Sequence, residues 1–319
     1  MTKKEKQLPK KYGFGLLGAA GYVAPRHIQA IFETGNELLY ACDVTDSVGV
    51  LDRNFPQCKF FLSVAEMEEV LRGKRRQNVG ALKKENLAQD LDFLSICTPN
   101  YLHFPQIKFG LKNNMHVICE KPLVLTEKEV HELEKIEQET GKRVYSILQL
   151  RLHPQIIRLK ALLESQRQNS SKRSKVSLNY VTSRGPWYKK SWKFDINKSG
   201  GVASNIGIHF FDMLIQLFGY PDSYEILNKS DEQLRGILHC PYADVNFFLS
   251  IKQEDLPLNL RDTNQRSWRE MIIDGSPFDF TNGFTDLHIQ SYKEILAGRG
   301  FGLADALPAI RLCESIRLS

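Results

Sequence analysis

At 319 residues, with a formal net charge of +6 and hydrophobic and charged fractions of 42% and 25%, the chain has the composition of a soluble globular protein. That length suits two domains of about 150 residues each. No apolar run approaches the roughly 20 residues that cross a bilayer, and the basic start lacks an apolar stretch before Pro9 and Lys10, so no secretory signal is predicted. Six cysteines show neither CxxC nor zinc-finger spacing, which points to reduced thiols, a cytoplasmic location and no metal. Basic clusters at 3–11, 72–76 and 167–175 lack interleaved aromatics and read as solvated faces and loops. Neither nucleic acid nor a membrane is an expected partner.

Short apolar runs alternate with amphipathic stretches through the first half, the pattern of βαβ units. Residues 12–17 read as a strand, 24–32 as a helix and 38–42 as a strand. A polar, Lys/Arg-rich stretch at 72–89 breaks the rhythm and reads as an insertion or extended surface helix. A strand at 91–97 follows, then a helix at 103–113 with Phe104, Ile107 and Leu111 on its apolar face, and a strand at 115–119. The helix at 127–140 carries Val130, Leu133 and Ile136, with Gly141 as its C-cap, before a strand at 143–149. The rhythm then changes: a helix at 156–163, a polar loop at 166–175, strands at 176–182, 224–228, 233–239 and 243–250, and helices at 206–217, 285–296 and 304–316.

The predicted fold is α/β. An N-terminal Rossmann dinucleotide-binding domain spans 1–122, with a returning strand and helix to about 150. A C-terminal α+β domain with a mostly antiparallel sheet spans 151–319.

Gly18-Ala19-Ala20-Gly21-Tyr22-Val23-Ala24 joins the first strand to the first helix. Small residues there let backbone amides and the helix N-terminus approach a pyrophosphate, although the spacing is a degenerate form of G-x-G-x-x-G. Asp43 ends the second strand, 25 residues after Gly18. An acid at that place bonds ribose hydroxyls and repels a 2′-phosphate, which favours NAD over NADP. Asp46 stands close enough in sequence to share the task.

Lys121, in Glu120-Lys121-Pro122, stands just beyond a strand end, where open α/β sheets bind their ligands. Far downstream, Gly200 and Gly201 lead into a helix with Asn205 and His209 at i and i+4, hence on one face, and Asp212, three residues further on, either orients His209 or faces elsewhere. Oxidation of a hydroxyl needs a group to take its proton and a donor to hold the developing alkoxide. Lysine suits both roles and imidazole suits the first.

Together, the Gly18 turn with His27, Thr98-Pro99-Asn100 with His103, Glu120-Lys121-Pro122, and Gly200-Gly201 through His209 resemble the Gfo/Idh/MocA oxidoreductases over essentially the whole chain. Residues 18–27, 148–154, 205–212 and 295–302 further resemble a subgroup that oxidises the 3-hydroxyl of UDP-N-acetylglucosaminuronic acid with NAD in bacterial surface-polysaccharide (O-antigen) pathways. The resemblance implies a cofactor site of Gly18, Ala20, Gly21, Tyr22, Val23, Asp43, Thr98, Pro99, Asn100, His103, Glu120 and Gln149. It implies catalysis by Lys121 and His209, either of which is the base, since Asn205 stands where many members carry aspartate. Arg151, Arg184, Tyr188, Lys193, Ser199 and Asn205, with Lys121 and His209, are the expected substrate contacts, and Trp187 flanks them. Residues 298–302 either bind substrate or form a turn between helices. The resemblance also implies reoxidation of the cofactor by 2-oxoglutarate and a homodimer or homotetramer. The alternatives are a dehydrogenase of another sugar or cyclitol and a non-catalytic NAD or sugar sensor.

Overall fold

A computed structural model describes residues 10–80, 90–168, 172–261, 263–280 and 282–319. Strands β1 (Gly13–Leu17), β2 (Glu37–Cys42), β3 (Lys59–Phe61), β4 (Phe93–Ile96), β5 (His116–Cys119) and β6 (Val144–Ser146) alternate with helices α1 (Ala24–Glu33), α2 (Val50–Asn54), α3 (Val64–Gly80), α4 (Asn100–Lys112) and α5 (Glu127–Thr140). Among the described residues the strands form a parallel sheet in the order β3-β2-β1-β4-β5-β6. β1 and β4 are buried at every position because helices cover both sheet faces, so their sequences are continuous apolar runs. The strand order reverses between β1 and β4, and it is outside such a switch point that open α/β sheets bind ligands.

The second sheet contains β7 (Ser174–Thr182), β8 (Ser223–Lys229), β9 (Gln233–Cys240), β10 (Ala243–Ser250), β11 (Ser267–Ile273) and β12 (Ser276–Phe278), in the order β12-β11-β7-β10-β9-β8. Every pair is antiparallel except β7 with β10. Buried and exposed residues alternate along β9 and β10, as expected for a sheet with one packed face. The remaining helices are α6 (Pro154–Arg167), α7 (Ile196–Ser199), α8 (Ile208–Phe218), α9 (Leu258–Arg261), α10 (Leu287–Leu296) and α11 (Leu303–Leu318). The last two run back to the first layer: α10 packs on α1, and α11 lies between α5 and α8.

Local signals account for well-defined ends. Thr126 and Glu129 form a reciprocal capping box at the start of α5, and Gly141 closes it in the left-handed conformation at φ 67°. Gly200 and Gly201 both have positive φ and start a helical run whose first turn, Val202–Gly207, is wound as a π-helix before α8.

Four expectations change. The polar stretch at 72–89 begins as the last turns of α3, and residues 81–89 lie outside the described set. The polar loop expected at 166–175 is shorter, because α6 continues to Arg167 and β7 begins at Ser174. The strand expected at 143–149 stops at Ser146, whose amide turns to the Phe301 carbonyl (2.8 Å), and Gln149–Leu152 winds into a 3-10 turn. Residues 196–218 are long and apolar enough to cross a membrane, with a mean hydropathy of 1.2, contrary to the sequence reading, yet 72% of that window is buried inside the protein. It is a core helix by packing.

Candidate active site

A cleft of about 830 Å³ opens at the switch point and runs from the Gly18 turn to the second sheet. Gly18 sits at φ 83°, and a Cβ there would lie 2.8 Å from the Cys97 carbonyl carbon and the Thr98 nitrogen. Only glycine lets the turn after β1 pass the end of β4. Gly21, Tyr22 and Val23 line the cleft just before the N-terminus of α1. Ala20 is not among the lining residues. Its amide instead donates to Asp43 Oδ2 at 3.0 Å, while the Thr45 amide donates to Oδ1 at 3.1 Å. Two backbone donors thus fix the Asp43 carboxylate at the cleft wall, with acceptor capacity left for ribose hydroxyls. Asp46 does not line the cleft. Val44, 87% exposed, and Leu62, 53% exposed, offer an apolar seat beside Asp43 that suits an adenine ring.

These features fit NAD: a glycine cradle that a side chain would fill, a helix N-terminus behind it, and a fixed carboxylate at the end of β2. Asp43→Ala is expected to weaken NAD about ten- to hundredfold, the size of a lost charged hydrogen bond, and to relax discrimination against NADP. Titrating both dinucleotides against the variant checks this; an unchanged preference would refute the role.

Thr98, Pro99, Asn100 and His103 also line the cleft. His103 buttresses it: its ring nitrogens face the Pro122 carbonyl at 2.7 Å and the Thr98 carbonyl at 2.8 Å. Burial, the larger influence, lowers its pKa, and the two carbonyls oppose that. Asn100 donates to the Ser199 carbonyl at 2.8 Å, which ties α4 to the end of α7 just before the glycine pair.

Glu120 and Lys121 point to different tasks. Glu120 Oε1 receives His27 Nε2 at 3.0 Å and His288 Nε2 at 2.8 Å. His27 Nδ1 meets the Tyr292 hydroxyl at 2.8 Å, which meets Ser95 Oγ at 2.6 Å. Burial lowers the His27 pKa, so its Nε2–H donates to Glu120 and its Nδ1 accepts from Tyr292. The two histidines outweigh burial and hold Glu120 ionised, well below the usual carboxylate range. His27, Glu120 and His288 also have the ligand types of a metal site; as placed, they are accounted for as hydrogen-bonded partners.

Lys121, joined to Pro122 by a cis peptide, donates from Nζ to the Asn205 carbonyl at 3.1 Å. Burial lowers its pKa; Glu120 opposes, and the nearby Lys193 and Arg184 add to the lowering. His209 lines the same wall, and among the described residues no hydrogen bond engages its ring. Burial, then the Lys121 charge, holds its pKa well below 6.5, so it is a neutral imidazole at pH 7. Asn205 and His209 do share a face of the helical run, and Asn205 Nδ2 donates to the Tyr188 hydroxyl at 2.8 Å.

Of the other expected contacts, Gln149, Arg184, Tyr188 and Lys193 line the cleft. Arg151 does not. Its guanidinium grips Asp212 (Nη2 to Oδ1, 2.7 Å) and Asp305 (Nη1 to Oδ1, 2.8 Å), joining the turn after β6 to α8 and α11. Asp212 is thereby committed to Arg151 and does not orient His209. Ser199 is fully buried, its hydroxyl accepting from the Gly201 amide at 3.0 Å, so it shapes the glycine turn instead of meeting substrate. Trp192, not Trp187, lines the cleft. Residues 298–302 form the turn into α11, with the Gly302 amide bonded to Asp305. Tyr180, at the start of the basic and aromatic segment 180–193 that suited a substrate loop, lines the cleft too, whereas the sequence reading missed Arg269, Phe284 and His288, which also line it. A lone arginine in a strand with no alternation gave little signal.

A parallel sheet with a glycine cradle, a carboxylate fixed at the end of β2, and a lysine and an imidazole lining the same cleft have the makings of an NAD-dependent oxidoreductase. Residues 12–147 match the model of an oxidoreductase family with an NAD-binding Rossmann fold, and 173–255 match the C-terminal alpha/beta domain of the same family. A WlbA (WbpB) dehydrogenase from Thermus thermophilus, solved in complex with NAD and alpha-ketoglutarate, is 42% identical with a TM-score of 0.87, covering 96% of this chain and 94% of that one. The same enzyme solved with NAD and UDP-GlcNAcA gives a TM-score of 0.86. The chain belongs to the Gfo/Idh/MocA oxidoreductase family. Among curated relatives, the inositol 2-dehydrogenase of Rhizobium meliloti is 27% identical over 207 residues, 65% of this chain and 54% of that protein. The D-glucoside 3-dehydrogenase of Escherichia coli is 27% identical over 141 residues, 42% of this chain and 38% of that protein, so the match spans about half or less of these relatives' lengths.

Proposed function

We propose that the protein oxidises the 3-hydroxyl of UDP-N-acetylglucosaminuronic acid to the 3-keto sugar, in the assembly of bacterial surface polysaccharide (O-antigen). The observation that carries this reading is the 42% identity, over nearly full length, to an enzyme crystallised with NAD and UDP-GlcNAcA. The cations Arg184 and Lys193 beside Lys121 support it, since they suit a diphosphate. The complex of that relative with alpha-ketoglutarate supports reoxidation of the reduced cofactor by 2-oxoglutarate. The reading takes the protein as cytoplasmic and as a homodimer or homotetramer.

Bound NAD supplies the hydride acceptor. The chain supplies the rest. Lys121 keeps one proton on the Asn205 carbonyl and turns its remaining donors to the substrate oxygen, where its charge stabilises the developing alkoxide. His209, neutral and with no hydrogen-bond partner among the described residues, takes the hydroxyl proton. The Lys121 charge that depresses the His209 pKa also favours prompt release of that proton.

A pH profile follows. Activity needs neutral His209, present above its lowered pKa, and charged Lys121, present below its own. kcat/KM is therefore expected to be flat through neutrality, without an acid limb near 6.5, and to fall on the alkaline side below the ordinary lysine value of 10.5. An acid limb at or above 6.5 would overturn the assignment of His209.

The function is tested by mass spectrometry of protein mixed with UDP-N-acetylglucosaminuronic acid, NAD and 2-oxoglutarate. A sugar lighter by the mass of two hydrogens, with 2-hydroxyglutarate formed alongside, is expected; keto sugar limited to the NAD supplied would remove the recycling step alone. A second reading, oxidation of a sugar or cyclitol without a nucleotide, is favoured by the glucoside and inositol dehydrogenase relatives. An unchanged UDP-sugar, with oxidation of one of those polyols, would establish it instead.

A further inference from the structure

Arg269 projects from β11, opposite Tyr180 of β7, into the cleft wall. Its guanidinium carbon lies 4.4 Å from the Phe284 ring centre, 5.1 Å from Phe280, 5.6 Å from Tyr180 and 5.9 Å from Phe210. Nε is buried with no hydrogen-bond partner, while the rest of the guanidinium meets the Tyr180 side chain and, from Nη1, the Phe280 carbonyl at 3.5 Å. Among the described residues no carboxylate lies within ion-pair distance of it. Burial lowers its pKa, against the charge and hydrogen bond of Tyr180 and the charge of Asp279.

A buried guanidinium donor left without an acceptor is costly. Aromatic faces stabilise its charge but offer no planar acceptor for the fork of N–H groups. The matching group is a carboxylate, which accepts two parallel bonds. Two further cations line the cleft on other rings: Arg184 lies 5.8 Å from the Tyr188 ring centre and Lys193 5.6 Å from Trp192, whereas Arg269 sits among Phe284, Phe280, Tyr180 and Phe210. The cleft therefore holds two separate cationic positions flanking the catalytic pair.

That arrangement matches one substrate geometry. In a hexopyranose, C1, C3 and C5 alternate around the ring. A 3-hydroxyl held at Lys121 and His209 sends the C1 and C5 substituents to different sides. We propose that Arg269 is the specificity-determining residue for the C5 carboxylate of a hexuronic acid, while Arg184 and Lys193 receive the diphosphate on C1. This rests on the function proposed above.

The test measures equilibrium affinity of the NAD-loaded protein for UDP-N-acetylglucosaminuronic acid and for its neutral hydroxymethyl counterpart, UDP-N-acetylglucosamine, in wild type, Arg269→Met and Arg269→Lys. The wild type is expected to prefer the acid strongly. Arg269→Met is expected to shrink that preference about 10²- to 10³-fold, chiefly by weakening the acid, the scale of a buried charged contact that loses its partner. Arg269→Lys is expected to restore part of it. A merely structural arginine would weaken both sugars alike, and a preference unchanged within about threefold in the Met variant would overturn the proposal. Wild-type turnover is read in parallel. Oxidation of the acid with no role for Arg269 in the preference sinks the inference alone. Arg269-dependent preference without oxidation sinks the proposed reaction alone, and binding of neither sugar sinks both.

Discussion

Lys121→Ala is expected to lower turnover about 10³-fold or more while leaving NAD affinity within about threefold. The lysine ammonium donates to the helical run that carries His209, through the Asn205 carbonyl at 3.1 Å. Losing it removes both the charge that stabilises the alkoxide and the donor that positions the oxygen, and general acid–base and electrostatic contributions of this kind are each worth about 10²–10⁴. The dinucleotide contacts expected at Gly18 and Asp43 lie on other loops and would be untouched. A second signature accompanies the loss. The Lys121 charge lowers the His209 pKa, so its removal should raise that pKa. Steady-state kinetics, dinucleotide titration and NMR titration of His209 measure the three effects. A variant turning over near the wild-type rate would remove Lys121 from the mechanism.

Arg151→Met is expected to cost about 3–5 kcal/mol of stability, because it leaves a buried aspartate without its partner. Arg151 and Asp212 side chains are 8% and 3% exposed, and three distances of 2.7–3.2 Å join them. The pair also reaches Asp305, which caps the start of α11. Adding Asp212→Asn to Arg151→Met should recover part of the loss, since a neutral amide replaces the stranded charge. Urea denaturation at constant pH reads both variants. A single-variant loss under about 1 kcal/mol would show that the pair is not the tie described here.

Much of the first layer was legible because its signals are local. Buried parallel strands are apolar runs, Gly18 and Asp43 mark the two ends of a dinucleotide crossover, and Gly141 ends a helix where its sequence says it should. Even the facing of Asn205 and His209 followed from helical spacing. What failed depended on contacts between distant segments. Arg151 looks like a substrate cation in sequence, and only the fold brings Asp212 and Asp305, 61 and 154 residues away, to neutralise it. Ser199 sits beside the glycine pair but is sealed under α4 by Asn100. Arg269 carries no motif, and the four aromatic rings around it come from β7, α8 and the segment after β12. β11 itself was missed because Arg269 and Glu270 interrupt its apolar pattern.

The most direct test of the central claim uses UDP-N-acetylglucosaminuronic acid bearing deuterium at C3, in a single turnover with NAD. The account expects deuterium to leave the sugar and appear in the reduced nicotinamide, with a lag in rate from breaking the C–D bond. Deuterium retained in an oxidised sugar would mean that the cleft acts on a different carbon, and the assignment of Lys121 and His209 to the 3-hydroxyl would be wrong.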